Sequence, residues 1–198
     1  MKRPVLFTSV LLVVATAGMY AIDPGREVVR VPRPDPDMLA TVVASVEELD
    51  ALRSELAASF EGEPDASTFA RVCKPVGARS QELADEHGWK VRQLALKNRN
   101  PANTLDPDAE LVYRMMDATP DIMGLWVWAE REGQEGFRYY RRIVVERSCL
   151  ACHGAKEERP AFIKEGYPDD RAYGFRPGDL RGVYSVFVPA ERETPHSE

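Results

Sequence analysis

The sequence predicts an α+β fold, an antiparallel sheet flanked by helices with a long helix in front, and three observations carry that expectation. Apolar residues recur at steps of three and four over two long segments before residue 88. Later segments alternate or run apolar as strands do. Two of them are joined by Gly133-Gln134-Glu135-Gly136, a connection too short for anything but a hairpin. Helices first and antiparallel strands afterwards do not fit alternating βα units.

At 198 residues, 44% of them hydrophobic, the chain has room for one domain with a real core plus small appendages. Lys2-Arg3 precedes an uncharged stretch, 4–22, with the apolar heart Val5-Leu6-Phe7-Thr8-Ser9-Val10-Leu11-Leu12-Val13-Val14-Ala15 and small residues at its end. That order reads as a signal peptide or, left uncut, a membrane anchor at 1–22. Four prolines between Asp23 and Asp37 make 23–37 an extended Pro-rich linker. The domain is expected at 38–190, and 191–198 is a polar tail.

Leu39, Val42, Val43, Val46, Leu49, Leu52, Leu56 and Phe60 stripe one helix over 39–60, ended by Glu61-Gly62-Glu63-Pro64. Asp65 or Ser67 caps a second helix with the stripe Phe69, Val72, Cys73, Val76, Leu83 and Ala84, so Cys73 points inward. Pro75 lies within that pattern and should kink or restart the helix. The segment 89–96 alternates as a strand, and Asn98 to Asn103 is loop. Asp106-Pro107 opens a third helix carrying Leu111, Met115 and Ala118 on one face. Strands follow near 124–132, 137–146 and 183–188. There is no internal repeat.

The 26 Lys and Arg against 32 Asp and Glu give a net charge of −6, which repels phosphate backbones and excludes nucleic acid as the main partner. Without the first 21 residues, which hold two cations, the net charge is −8, unsuited to anionic lipid.

The chemistry sits at Cys149-Leu150-Ala151-Cys152-His153. Two thiols three apart with histidine after the second form the c-type haem attachment pattern. Each thiol adds to one vinyl group of the porphyrin, and the adjoining imidazole becomes the proximal iron ligand. Export and attachment agree, because the linkage is made outside the cytoplasm. Rival uses of the pair are a zinc site completed by Cys73 and His87, a redox-active dithiol, and a structural disulfide. No second paired motif, no βαβ setting and a very short loop weigh against them.

One such motif means one haem, haem c, whose iron holds His153 and a second ligand. Met115, Met116, Met123, His87 and Cys73 are the candidates, Cys73 being equally a small buried hydrophobe. Cys73 and His87 are 14 residues apart, about 21 Å along one helix, so they are rivals. Arg99, Arg141 and Arg142 are candidates for the haem propionates or solvated strand-edge cations. Trp126, Trp128 and Tyr139 either flank the porphyrin or belong to the core.

The runs Cys149–Gly154, Tyr167-Pro168-Asp169-Asp170-Arg171-Ala172-Tyr173-Gly174-Phe175, Gly178-Asp179-Leu180-Arg181-Gly182-Val183-Tyr184-Ser185-Val186 and Lys97-Asn98-Arg99-Asn100-Pro101-Ala102-Asn103 resemble a domain-of-unknown-function c-type haem family with a PAS-like fold and a single haem. The resemblance covers about 73–188. It implies His153 on one side of the iron and Cys73, from an upstream helix, on the other. The sequence departs from the family at Lys74-Pro75-Val76-Gly77, where a more regular helix is expected. A thiolate stabilises ferric over ferrous iron, so the ligation implies a low potential. On reduction a protonated thiol leaves readily and opens the iron to a gas such as CO or NO.

Two functions follow. One is an exported monohaem c-type cytochrome, periplasmic or tethered to the inner membrane, that senses redox state or a small gas. The other is a periplasmic electron-transfer cytochrome. An enzyme is not expected, since no second histidine with an acid–base neighbour can be placed over an open iron position. With no kinase, methyl-accepting or DNA-binding segment, the signal or electron passes to a separate redox or signalling protein. A homodimer through the long helix is left open.

Overall fold

The computed structural model describes residues 32–190. The expected leader at 1–22, most of the expected linker and the expected tail at 191–198 lie outside the described residues. Among the described residues no helix is long and apolar enough to cross a membrane.

Helix α1 spans Pro36–Ala58. It starts three residues earlier than expected because Asp35 is a competent N-cap, accepting from the Asp37 amide at 3.1 Å, and Pro36 suits the first helical position. The linker therefore ends at Asp35 rather than Asp37. Its stripe is as read: Val42, Val46 and Leu49 are fully buried. Helix α2 spans Ala66–His87, and Asp65 caps it through a reciprocal box, accepting from the Thr68 amide at 2.8 Å while Thr68 Oγ1 accepts from the Asp65 amide at 3.1 Å. Contrary to expectation, α2 does not restart at Pro75. The proline removes one donor, and the carbonyl it would have served belongs to exposed Arg71, where water can replace the lost bond.

Strand β1 covers Lys90–Leu94, shorter than the alternating segment. Helix α3 spans Pro107–Ala118, with Asp106 accepting from the Ala109 amide at 3.1 Å. Its buried face is Ala109, Val112, Tyr113 and Met116, while Leu111 is 71% exposed and Met115 42%. Both sets have helical spacing, so periodicity alone could not choose. The choice is made by Asp106, which pairs with Arg138 at 2.9 and 2.8 Å, and by Tyr113, whose hydroxyl donates to the Leu180 carbonyl at 3.0 Å.

Strands β2 (Gly124–Arg131) and β3 (Gln134–Val144) form the hairpin, and β4 (Leu180–Pro189) completes the sheet. The hairpin turn is the two residues Glu132-Gly133, both at positive φ (55° and 76°), instead of the four from Gly133 to Gly136. Positive φ at both central positions matches the strand twist, so the strands pair up to the turn. All pairings are antiparallel, in the order β1-β4-β3-β2. The long β3–β4 connection carries a 3₁₀ turn (Arg147–Cys149) and two short helices, α4 (Leu150–His153) and α5 (Ala161–Gly166), which the sequence did not announce.

Both sheet faces are covered. Val42, Val46 and Leu49 of α1, with Val76 of α2, meet Tyr139, Ile143, Tyr184, Val186 and Val188. Residues of α3 meet Tyr140, Leu180 and Val183 on the opposite face. The alternation at 139/140 and 183/184 is the period of two that a strand imposes. Each fully buried aliphatic side chain contributes about 1.5–3 kcal/mol. The apolar stripe of α1 is thus spent on the chain's own sheet, so pairing of two copies through α1 is left only its polar side.

Candidate functional site

A cavity of about 350 Å³ lies between α1, α2, the far ends of β1, β3 and β4, and the turn that carries Cys149 to His153. Its walls include Phe60, Phe69, Val72, Val76, Leu94 and Ile143, giving an apolar interior of ordinary ligand-pocket size. Cys73, Arg99, Cys149, Cys152 and His153 all line it. Residues 76 positions apart in sequence thus share one cavity because α2 packs beside the β3–β4 connection.

The 3₁₀ turn and α4 set the motif's geometry. Cys149 ends the turn and Cys152-His153 ends α4, so both thiols and the imidazole leave one continuous coil. The Glu146 amide donates to Cys149 Sγ at 3.4 Å, and Arg53 Nη1 lies 3.8 Å from the same sulfur. His153 Nδ1 donates to the Ala172 carbonyl at 2.7 Å. That bond fixes the tautomer and leaves Nε2 bare, the arrangement a metal-binding histidine needs. Arg99 Nη2 is 3.4 Å from the same Nδ1, but two donors cannot share it, and this guanidinium donates to the Cys152 carbonyl at 2.8 Å. Phe175 meets the imidazole edge-on, with centroids 6.1 Å apart.

Behind the histidine stands Asp170, its side chain fully buried. It accepts from Arg159 at 2.8 Å, from Arg99 at 3.3 Å and from the Ala172 amide at 2.9 Å. Burial pushes its pKa up, but the Arg159 and Ala172 hydrogen bonds and the Arg99 charge prevail and hold it below the usual carboxylate range. Asp170 therefore locks the residue whose carbonyl orients His153.

Burial, reinforced by the charges of Arg181 and Arg99, holds His153 well below its ordinary pKa, so the imidazole is neutral. Burial also pushes the Cys152 thiol up to about 11, against the opposing charge of Arg99. Cys73 is raised for the same reason, with Arg99 and Arg181 opposing. Contrary to the buried helix face expected from the sequence, Cys73 is exposed, facing the hollow, although surrounding protein still desolvates its thiol. The inward-pointing Cys73 of the helical pattern is thus a cavity-wall residue rather than a packed core residue.

Several sequence candidates lie elsewhere. Arg141 is bound by Glu47 and Asp50, both at 2.9 Å. Arg142 donates to the Met116 carbonyl and to the Ile122 carbonyl at 3.4 Å. Neither lines the cavity, because β3 turns them toward α1 and α3. Trp126 packs tilted against Tyr139, centroids 4.9 Å apart, in the core beneath α1, and Trp128 meets Phe137 edge-on. His87 stacks on Trp89 at 4.1 Å and does not line the cavity, which leaves the four-ligand zinc set unassembled. Met116 is buried under α3, and Met115 and Met123 are 42% and 44% exposed. All three cysteines are free, so Cys149 and Cys152 form no disulfide.

Sequence reasoning missed Arg53, Arg181 and Asp170. Arg181 and Asp170 sit in the runs that carried the family resemblance, but nothing local gave them roles. Arg53 was one polar residue on a long helix.

The residues present fit a haem. They offer two thiols and a bare imidazole nitrogen from one coil, a third thiol on the α2 wall, an apolar interior and guanidinium groups for acidic substituents.

Comparison with known proteins agrees. A model of the Tll0287-like family matches residues 33–189. A solved crystal structure of the cyanobacterial heme-protein Tll0287 is similar at 45% identity and a TM-score of 0.72, over 81% of this chain and 100% of that one. No curated protein matches.

Proposed function

Since this chain belongs to the Tll0287-like family and its cofactor is haem, we propose that it is an exported monohaem c-type cytochrome that senses redox state or a small gas. The carrying observation is the single cavity where Cys149, Cys152 and His153 face the α2 wall bearing Cys73, with His153 Nδ1 tied to Ala172. Cys149 and Cys152 would hold the group through thioethers, His153 would bind its iron through Nε2, and Cys73 would supply a second ligand. Haem brings an iron that changes oxidation state and can bind diatomic gases. The protein's part is to present a fixed imidazole, keep water from the iron with apolar walls and offer a thiol that is a ligand only when deprotonated. A thiolate favours ferric iron, and its protonation on reduction would open the iron to a gas, which favours the sensor over the carrier. The role is binding rather than catalysis, the location outside the cytoplasm, and the recipient of the signal a separate protein.

Secretion through a competent maturation pathway, followed by mass and absorption measurement, tests attachment. One covalent haem is expected, lost when Cys149 and Cys152 are both replaced by Ser; colourless protein of bare polypeptide mass refutes it. Cys73→Ala should change the ferric spectrum, and unchanged axial ligation removes the thiolate. Reduced protein should take up CO or NO; failure to do so favours the electron carrier.

A further inference from the structure

The geometry points to Arg181 as the residue that binds a carboxylate of the cofactor, a haem propionate, in the cavity. This assignment rests on the haem reading above, and replaces Arg141 and Arg142, whose guanidiniums are engaged elsewhere.

The backbone supplies the first argument. Along β3–β4, Ile143 pairs with Gly182 but Val144 pairs with Leu180, so Arg181 is the extra residue of a β-bulge. Bulges beside sites re-aim one side chain, and both Arg181 and Gly182 line the cavity. A Cβ at position 182 would lie 2.5 Å from the Leu94 carbonyl oxygen, so β1 closes on the bulge and holds its shape.

The second argument is charge. Of the arginines lining the cavity, Arg53 holds Asp50 at 2.8 Å and Glu146 at 2.9 Å, and Arg99 holds Asp170 at 3.3 Å. Arg181 donates to the Lys97 carbonyl at 3.0 Å, and its Cζ lies 5.4 Å from the Phe175 ring centre. Among the described residues it forms no salt bridge with an Asp or Glu. The nearby carboxylate, Asp170, is committed to Arg99 and Arg159. Burial, with the neighbouring charge of Arg99, lowers the pKa of Arg181 to about 10. Arg181 is a half-buried cation without a carboxylate partner, and it borders a cavity shaped for a ligand. Haem carries two carboxylates, and a planar guanidinium matches a carboxylate bidentately.

The test uses secreted, haem-loaded protein. Resonance Raman spectra are compared for wild type, Arg181→Gln, Arg181→Lys and Arg53→Gln, with haem content per chain measured by mass. Arg181→Gln should shift the propionate bending band and lower the midpoint potential; Arg181→Lys should recover part of both shifts; Arg53→Gln should leave the band in place. A wild-type band in Arg181→Gln overturns the assignment, as does an equal shift in Arg53→Gln. Should Arg181→Gln fail to load haem, the lysine variant decides: a displaced band supports the assignment and a wild-type band overturns it. Wild-type chain that carries no haem refutes the haem reading itself, a result separate from any of these.

Discussion

Replacing Asp170 by asparagine tests the support behind His153. The carboxylate has no exposed side-chain surface, and its partners Arg99 and Arg159 are each only 10% exposed. Asparagine keeps one acceptor for the Ala172 amide but turns an NH₂ group toward a guanidinium and leaves two cations without their counter-charge. Removing one partner of a buried pair costs about 3–5 kcal/mol, and the slight exposure of the arginines places this case near 3 kcal/mol. In a domain of this size that lowers Tm by about 6–12 °C. The sign with pH follows from linkage. Asp170 is held below the usual carboxylate range, so its stabilisation is full above the unfolded-state pKa of about 3.9 and is lost as pH falls through the folded value. Urea unfolding of wild type and Asp170→Asn at pH 7 and pH 3 measures it. The gap should be near 3 kcal/mol at neutral pH and shrink in acid. A variant within about 0.5 kcal/mol of wild type at pH 7, or a gap that does not change with pH, refutes the reasoning.

Two further outcomes concern the fold. Asp106→Ala removes both the α3 cap and the partner of Arg138, which is 2% exposed, so it should cost about 3–5 kcal/mol rather than the roughly 1 kcal/mol of a cap alone, as read by chemical denaturation. Burial raises the Asp106 pKa, but the Arg138 and Ala109 hydrogen bonds and the Arg138 and Arg131 charges outweigh it and hold it at about 2. The loss should therefore fade as pH drops from about 4 toward 2. On α3, Met116→Ala should cost about 2–5 kcal/mol and Leu111→Glu stay within about 0.5 kcal/mol; thermal melts showing the reverse order would restore the outer stripe as the buried one.

Much of the fold was legible because its signals are local. Asp106-Pro107 starts α3 through bonds spanning three residues, and the α1 stripe needs only helical spacing. The Cys149-Leu150-Ala151-Cys152-His153 run was legible for the same reason, its chemistry lying within one coil. Pro75 misled because a single missing donor at an exposed carbonyl is tolerated inside a helix that packing holds. Leu111 and Met115 misled because two helical stripes were equally periodic.

By itself the sequence determined haem as the cofactor, the start of α3 and the alternation of the strands, since each depends on residues a few positions apart. Only the tertiary structure decided that Cys73 shares a cavity with His153, that Asp170 fixes the imidazole through Ala172, and that Arg181 rather than Arg141 or Arg142 lines that cavity. Those relations join segments dozens of residues apart. They depend on how α2 packs and where β4 bulges, and no local pattern carries that information.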